Sequence, residues 1–190
     1  MFEREYRDLA HVPRWGIMPV IKRQSVAEHS YFVTLYAYHI CEALNLEGPI
    51  VTATLKHCVE HDRSEVYTSD IPGPVKRAVG KEAHDAYVKA EDPKRFTTPD
   101  GSGNKVAVAI RKLADLMDEY AYLTSEFDIG NSNVGPAITD IETRVMYAAA
   151  SLAALTSNDV WGRVVVPFYD GHTKEKVMPK AENSDVETKR

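Results

Sequence analysis

Residues 106–126 constrain this chain more than any other stretch. Val106, Ile110, Leu113, Ala114, Met117, Tyr120, Ala121 and Leu123 recur at the three- and four-residue spacing of an α-helix with a wide apolar face. A helix so apolar must be covered, and the segments available to cover it also read as helices. Ser25-Val26-Ala27-Glu28 is a capping box ahead of a stripe formed by Phe32, Val33, Tyr36, Ala37, Ile40, Cys41 and Leu44. Gly48-Pro49 opens a helix over 48–62 that turns Val51, Leu55, Cys58 and Val59 inward. Pro136 begins another, with Ile138, Ile141, Val145, Ala149, Leu152 and Leu155 on its inner face.

Weaker helices are expected over 3–10, 81–90 and 159–166, the last stopped by Pro167. Val164-Val165-Val166 is the only strand signal. Loops are expected over 11–23, 69–74 and 92–105, where Pro, Gly and polar residues cluster. The fold class is all-α, with a single domain over 1–172. Residues 173–190 are charged and weakly apolar and are expected to form a disordered tail.

With 190 residues, the chain can bury one substantial core. Its net charge of −5 argues against a general nucleic-acid binder, which needs excess Lys and Arg to displace counterions. Met1-Phe2-Glu3-Arg4-Glu5 holds no apolar signal core, and no apolar run reaches membrane-spanning length. Cys41 and Cys58 lie in apolar helical stretches and are expected as buried free thiols of a reducing compartment. A cytoplasmic protein without a membrane partner is expected.

Three polar signals stand where a core helix would not choose them. His61-Asp62 closes an otherwise apolar helix, and His29 sits one turn inside the Ser25-capped helix. Asp115 falls between Leu113-Ala114 and Leu116-Met117. A carboxylate in such a setting is costly unless it is paired or binds a metal. Two imidazoles and two carboxylates suit a borderline divalent ion such as Mn, Co, Ni, Fe or Zn. Each signal alone has an ordinary structural explanation; their combination in one chain carries the reading. His57, four residues before His61, lacks the zinc-protease pattern and is read as structural. Lys22-Arg23 is read as a solvated basic pair that flanks a loop.

The strings Arg14-Trp15-Gly16-Ile17-Met18, Ser25-Val26-Ala27-Glu28-His29-Ser30, His61-Asp62-Arg63-Ser64-Glu65-Val66, Asp70-Ile71-Pro72-Gly73-Pro74-Val75-Lys76 and Lys112-Leu113-Ala114-Asp115 occur in this order. In order and spacing the chain resembles the HD superfamily of metal-dependent phosphohydrolases. Within it, the chain closely resembles the YfbR-like 5′-deoxynucleotidases and the related phage dATP triphosphohydrolases. The resemblance implies an HD-domain helical bundle with a divalent cofactor (Co, Mn, Zn, Ni, Fe or Mg) held by His29, His61, Asp62 and Asp115. It implies Glu65 and Asp70 as catalytic carboxylates and Arg14 and Lys76 as the phosphate-binding pair. Trp15 is implied to pack on the sugar and disfavour a 2′-hydroxyl, with Ile17 and Pro74 bordering the base.

Trp15-Gly16-Ile17 departs from the Trp-Pro-Leu typical of the bacterial mononucleotidases and leans toward the phage triphosphohydrolases. A dATP triphosphohydrolase is therefore the leading expectation, in host cytoplasm if the chain is phage-encoded. The alternatives are a 5′-nucleotidase for deoxynucleoside monophosphates and, below both, a non-catalytic HD nucleotide sensor. The relatives assemble, and Tyr36, Tyr38, Tyr120 and Tyr122 make helices aromatic on more than one side. A homo-oligomer, a dimer or a dimer-built hexamer, is expected.

Overall fold

The computed structural model describes residues 4–91 and 104–173. Except for Asn104, Lys105 and Thr173, the loop expected over 92–105 and the tail expected over 173–190 lie outside the described residues. After a 3-10 helix, Arg4–His11, come α1 (Val26–Ala43), α2 (Gly48–Glu60), α3 (Glu65–Thr68), α4 (Gly73–Val79) and α5 (Lys81–Glu91). α6 (Lys105–Asp128), α7 (Gly135–Thr156) and α8 (Val166–Thr173) complete the order. No strand occurs among the described residues; Pro13 and Ser25 form one isolated antiparallel bridge. No described helix is long and apolar enough to cross a membrane.

α6 is the central element, packed by α1, α2 and α7. Its Ile110, Leu113, Leu116 and Leu123 meet Val33, Ala37 and Ile40 of α1, Cys58 of α2 and Val145 and Leu152 of α7 in one core. Asn104 starts α6 by accepting from the amides of Val106 and Ala107, both at 3.1 Å. The capping box of α1 forms as expected: Ser25 Oγ accepts from the Glu28 amide, and Glu28 Oε2 accepts from the Ser25 amide at 2.7 Å. Cys41 and Cys58 are buried and unpaired, in accord with the reading of the sequence.

Three local expectations need correction. Residues 65–68 and 73–79 are short helices, and the loop over 69–74 ends early because Pro74 enters the first turn of α4, where its missing amide costs nothing. Pro167 does not stop the last helix. A five-residue π turn, Trp161–Val165, precedes α8 and leaves Pro167 as the second residue of a new helix, again where no amide is required. Of the four tyrosines proposed to make subunit contacts, three are used within the chain. Tyr120 and Tyr36 pack edge-on against Phe168, and Tyr122 stacks on Trp15.

The segment between Val12 and Val26 is a closed loop. Its ends are joined by Val26 N donating to Val12 O and Arg14 N donating to Gln24 O, both at 2.9 Å. Its far side is tied to α6. Glu126, fully buried, accepts from the amides of Ile21 at 2.6 Å and Lys22 at 2.7 Å, and from Asn131 Nδ2 at 2.9 Å. Asn131 Nδ2 also donates to Pro19 O at 2.8 Å, and Tyr122 OH to Lys22 O at 2.5 Å. Glu126→Ala orphans these donors and should cost about 2–3 kcal/mol in urea unfolding. Hydrogen exchange at Ile21 and Lys22 should accelerate in that variant, and unchanged exchange there would refute the anchoring role.

Candidate metal centre and phosphate site

Each proposed ligand is delivered by a different local device. His29 lies on the buried stripe of α1 formed with Val26, Val33, Ala37 and Ile40, and it is itself fully buried. His61 caps the C-terminus of α2. There its Nδ1 donates to Cys58 O at 2.6 Å, using a carbonyl that the end of the helix leaves free. Asp62 follows in the turn, and Asp115 projects from the middle of α6.

The side chains converge. His29, His61 and Asp115 each offer a ligand atom within 4.8 Å of the others. His29 Nε2 is 3.4 Å from His61 Nε2 and 3.2 Å from Asp115 Oδ1. Asp62 falls outside that group of three, yet its Oδ2 lies 3.0 Å from His61 Nε2 and 3.6 Å from His29 Nε2.

The donor set fits a cation. A carbonyl only accepts, so His61 carries its proton on Nδ1. His29 Nδ1 is likewise 2.5 Å from Asp118 Oδ2, a carboxylate oxygen that only accepts. Arg14 Nη1, a donor, also crowds this Nδ1, but it has Gln24 Oε1 as an acceptor at 3.5 Å. Nδ1 therefore keeps its proton for Asp118, and both Nε2 lone pairs face the centre, 3.4 Å apart, with two carboxylates around them. Without a cation the arrangement draws a proton instead. Burial and Arg14 oppose protonation of His29, but its hydrogen bonds to Asp115 and Asp118 outweigh them and raise it to about 9. Burial works against the charged form of Asp62 too, yet His61, His29 and Arg14 hold it well below the usual carboxylate range. Arg111 Nη1 grips the outer oxygen of Asp115 at 3.0 Å, leaving Oδ1 to the centre. Ligands oriented by outer hydrogen bonds are the usual construction of a protein metal site.

Next to this centre stands an acid–base pair with a buried carboxyl and a half-exposed ammonium. Glu65 begins α3, and its Oε1 accepts from Lys76 Nζ of α4 at 3.3 Å. Its Oε2 is buried with no hydrogen-bond partner among the described residues. Burial, with the field of Asp62 added, pushes Glu65 up to about 8 against the pull of Lys76. Burial works against the Lys76 ammonium, but Glu65, Asp62 and Asp70 together raise it above the usual lysine range. Asp70 thus lies close enough for its charge to act on both.

Arg14 is the other flanking cation. Its Nη1 lies against His29 Nδ1 and 3.7 Å from Asp118 Oδ2, and its Nη2 donates to Glu119 at 3.4 Å. Trp15 has a φ of +65°, a left-handed backbone that a non-glycine residue adopts only when its surroundings hold it. Here they do. The indole stacks on Tyr122 with centroids 5.3 Å apart, and Nε1 donates to Gln24 Oε1 at 3.1 Å.

Not all expected residues converge. Ile17 is 65% exposed and Pro74 is exposed. Lys22 and Arg23 line a cavity of about 210 Å³ with Phe32, Tyr36 and Tyr122, which reaches Gln24 and Asp118 behind His29. The sequence reading missed Asp118, Glu119 and Gln24. Spacing alone offered a hint for two of them: Asp118 and Glu119 are three and four residues beyond Asp115, one turn along the same face.

Comparison with known proteins settles the family. A family model described as 5′-deoxynucleotidase YfbR-like matches residues 2–98. The chain belongs to the YfbR-like 5′-deoxynucleotidase family. A 5′-deoxynucleotidase of Pectobacterium atrosepticum is 28% identical over 140 residues, 64% of this chain and 70% of the relative. The 5′-deoxynucleotidase YfbR of Salmonella paratyphi B is 29% identical over 149 residues, 69% of this chain and 75% of the relative.

Among solved structures, the cyanophage S-2L HD phosphohydrolase DatZ, bound to dA and one catalytic Zn²⁺ ion, superposes with a TM-score of 0.68 at 20% identity. That match covers 92% of this chain and 98% of DatZ. A protein from Pyrococcus horikoshii superposes with a TM-score of 0.60 at 20% identity, covering 80% and 93%. The fold is that of the HD phosphohydrolase DatZ, and this member of the YfbR-like family is a hydrolase with a His/Asp group able to hold a metal ion.

His61→Ala and Asp115→Ala should each lose at least about 90% of bound metal after dialysis while retaining helical circular dichroism, with some loss of thermal stability. Full metal content in either variant would refute the ligand set.

Proposed function

We propose that this YfbR-like hydrolase cleaves the 5′ phosphate ester of a deoxynucleotide, with dATP, converted to deoxyadenosine and triphosphate, as the leading substrate. The observation that carries the reading is the junction of two sites. The His29, His61, Asp62 and Asp115 set adjoins the Glu65–Lys76 pair on one side and Arg14 on the other. The relatives named as 5′-deoxynucleotidases and the neighbour bound to dA support the substrate class.

A divalent ion held by the four ligands supplies Lewis-acid polarisation and lowers the pKa of water. The chain's own groups do the rest. Arg14 and Lys76 hold and neutralise the phosphoryl oxygens, where charge grows as the bond to the 5′ oxygen lengthens. Glu65 takes the proton of the attacking water on its unpartnered Oε2, and Lys76 on Oε1 keeps that side chain aimed inward. Water adds to the α-phosphorus, the phosphorus–O5′ bond breaks, and its electron pair leaves on the 5′ oxygen, which then takes a proton. Asp70 adds negative field that keeps Lys76 charged.

The same bond breaks in a deoxynucleoside monophosphate, and one observation favours that second reading. Arg111 is committed to Asp115, and Lys22 and Arg23 line a cavity on the far side of Asp118 and Gln24, so Arg14 and Lys76 are the cations set directly beside the centre. Trp15-Gly16-Ile17 supports the triphosphate. We further propose a homo-oligomer, supported by exposed Met146, Tyr147, Leu155 and Trp161 on and after α7.

Chromatography of products from each dNTP and dNMP, and from ATP, decides among these. Deoxyadenosine and triphosphate from dATP are expected; turnover of monophosphates alone would replace the leading reading with the second. The Trp15 indole offers a 2′-hydroxyl no partner, an expected cost of about 1–3 kcal/mol, so dATP should exceed ATP by roughly tenfold to a hundredfold. Equal rates for dATP and ATP would end the sugar argument.

Glu65→Gln separates chemistry from binding. It should keep metal and substrate affinity and lose about a hundredfold or more in kcat. A parallel fall in metal content would make Glu65 a ligand instead.

A further inference from the structure

Asp118 and Gln24 are buried, and neither is among the proposed ligands or substrate contacts. Asp118 Oδ2 is the busier atom. It lies 2.5 Å from His29 Nδ1 and accepts from Gln24 Nε2 at 2.9 Å. Gln24 Oε1 in turn accepts from Trp15 Nε1 at 3.1 Å and, more weakly, from Arg14 Nη1 at 3.5 Å. The orientation of this amide follows from chemistry alone. An indole N–H only donates, so it must meet the oxygen; a carboxylate only accepts, so it must meet the nitrogen. One carboxylate oxygen is therefore shared between the imidazole of a proposed metal ligand and the amide that holds Arg14 and Trp15.

We propose that Asp118 and Gln24 are positioning residues that couple occupancy of the metal centre to the geometry of the Arg14–Trp15 loop. Asp118 keeps the His29 proton on Nδ1 and so presents the Nε2 lone pair to the ion. When an ion draws His29 toward itself, Oδ2 follows the Nδ1 proton and carries the Gln24 amide with it. Trp15 is sensitive to that displacement, because its left-handed backbone and its stacking on Tyr122 leave Nε1–Gln24 as its polar anchor. The coupling is reciprocal, as any linkage between two binding events must be. It would make the phosphate- and sugar-binding side chains fully ordered only in metal-loaded protein. The inference rests on His29 being a ligand.

Zinc is the appropriate probe, since a closed-shell ion does not itself quench indole emission. The protein has two tryptophans, so Trp161→Phe leaves Trp15 as the sole reporter. In that background zinc titration should shift Trp15 emission, with a midpoint equal to the zinc Kd measured by competition with a chromophoric chelator. Gln24→Ala should bind zinc within about threefold of the parent and lose the emission response. Asp118→Ala should weaken zinc about 10- to 100-fold, the usual cost of removing such an outer partner, and Asp118→Asn, which can keep the acceptor, should recover part of the loss.

A merely structural role would lower thermal stability in all three variants without separating affinity from emission. Retention of the full emission response in Gln24→Ala, or zinc affinity within twofold of the parent in both Asp118 variants, would overturn the coupling. If the Asp118 variants do not fold, Gln24→Ala alone decides. A parent that binds no zinc would overturn the ligand reading instead. A parent that binds zinc through His61 with unresponsive Trp15 emission would overturn only the coupling.

Discussion

The structure depends on finding partners for the acids of α6. Asp115, Asp118, Glu119 and Glu126 all project from the central helix, Asp118 and Glu126 buried and Asp115 and Glu119 half-buried. Unpaired, each would cost several kcal/mol. Each is answered by a specific cationic or hydrogen-bonding group: His29 and Arg111 for Asp115, His29 and Gln24 for Asp118, Arg14 and Arg144 for Glu119, and loop amides for Glu126. These partners come from α1, the 12–26 loop, α7 and α6 itself. The requirement to satisfy α6 therefore arranges the site, since the same contacts that neutralise it bring His29, Arg14 and Trp15 to one place.

The centre follows from that arrangement. Two imidazoles held with their Nε2 lone pairs inward, and two carboxylates beside them, leave an excess of electron density that calls for a cation. The neighbouring Glu65–Lys76 pair is the complementary case. Its acid is raised by burial and by Asp62, while its ammonium is kept charged by three carboxylates. A raised carboxyl beside an ammonium that stays charged is suited to proton transfer and to phosphate neutralisation at one site.

Much of this was legible in the sequence. Helical periodicity located α1, α6 and α7 by their buried apolar stripes and α2 more weakly, since only Thr54 and Cys58 of α2 are buried. Val59 and Leu155, expected inward, are exposed near the ends of their helices. Asp115 stood out because apolar residues flank it on both sides. Asp118 and Glu119 did not, because adjacent acids on a helix look like its solvent face, and only the 12–26 loop folding over α6 makes that face an interior. Pro167 was read as a stop because a π turn, which reopens a helix start before it, has no periodic signature. The positions of Lys22, Arg23 and Arg111 depended on tertiary contacts and could not be read from spacing. His29, by contrast, could be placed one turn inside its helix from the Ser25–Glu28 capping box alone.

The central claim is that the cluster formed by α1, α2 and α6 is a metal site, and anomalous diffraction from crystals grown with zinc tests it most directly. A single strong peak is expected at about 2.0–2.2 Å from His29 Nε2, His61 Nε2 and carboxylate oxygens of Asp62 and Asp115, with room for a further ligand facing Glu65. An active, zinc-loaded protein whose anomalous peak lies away from these four side chains would contradict the account.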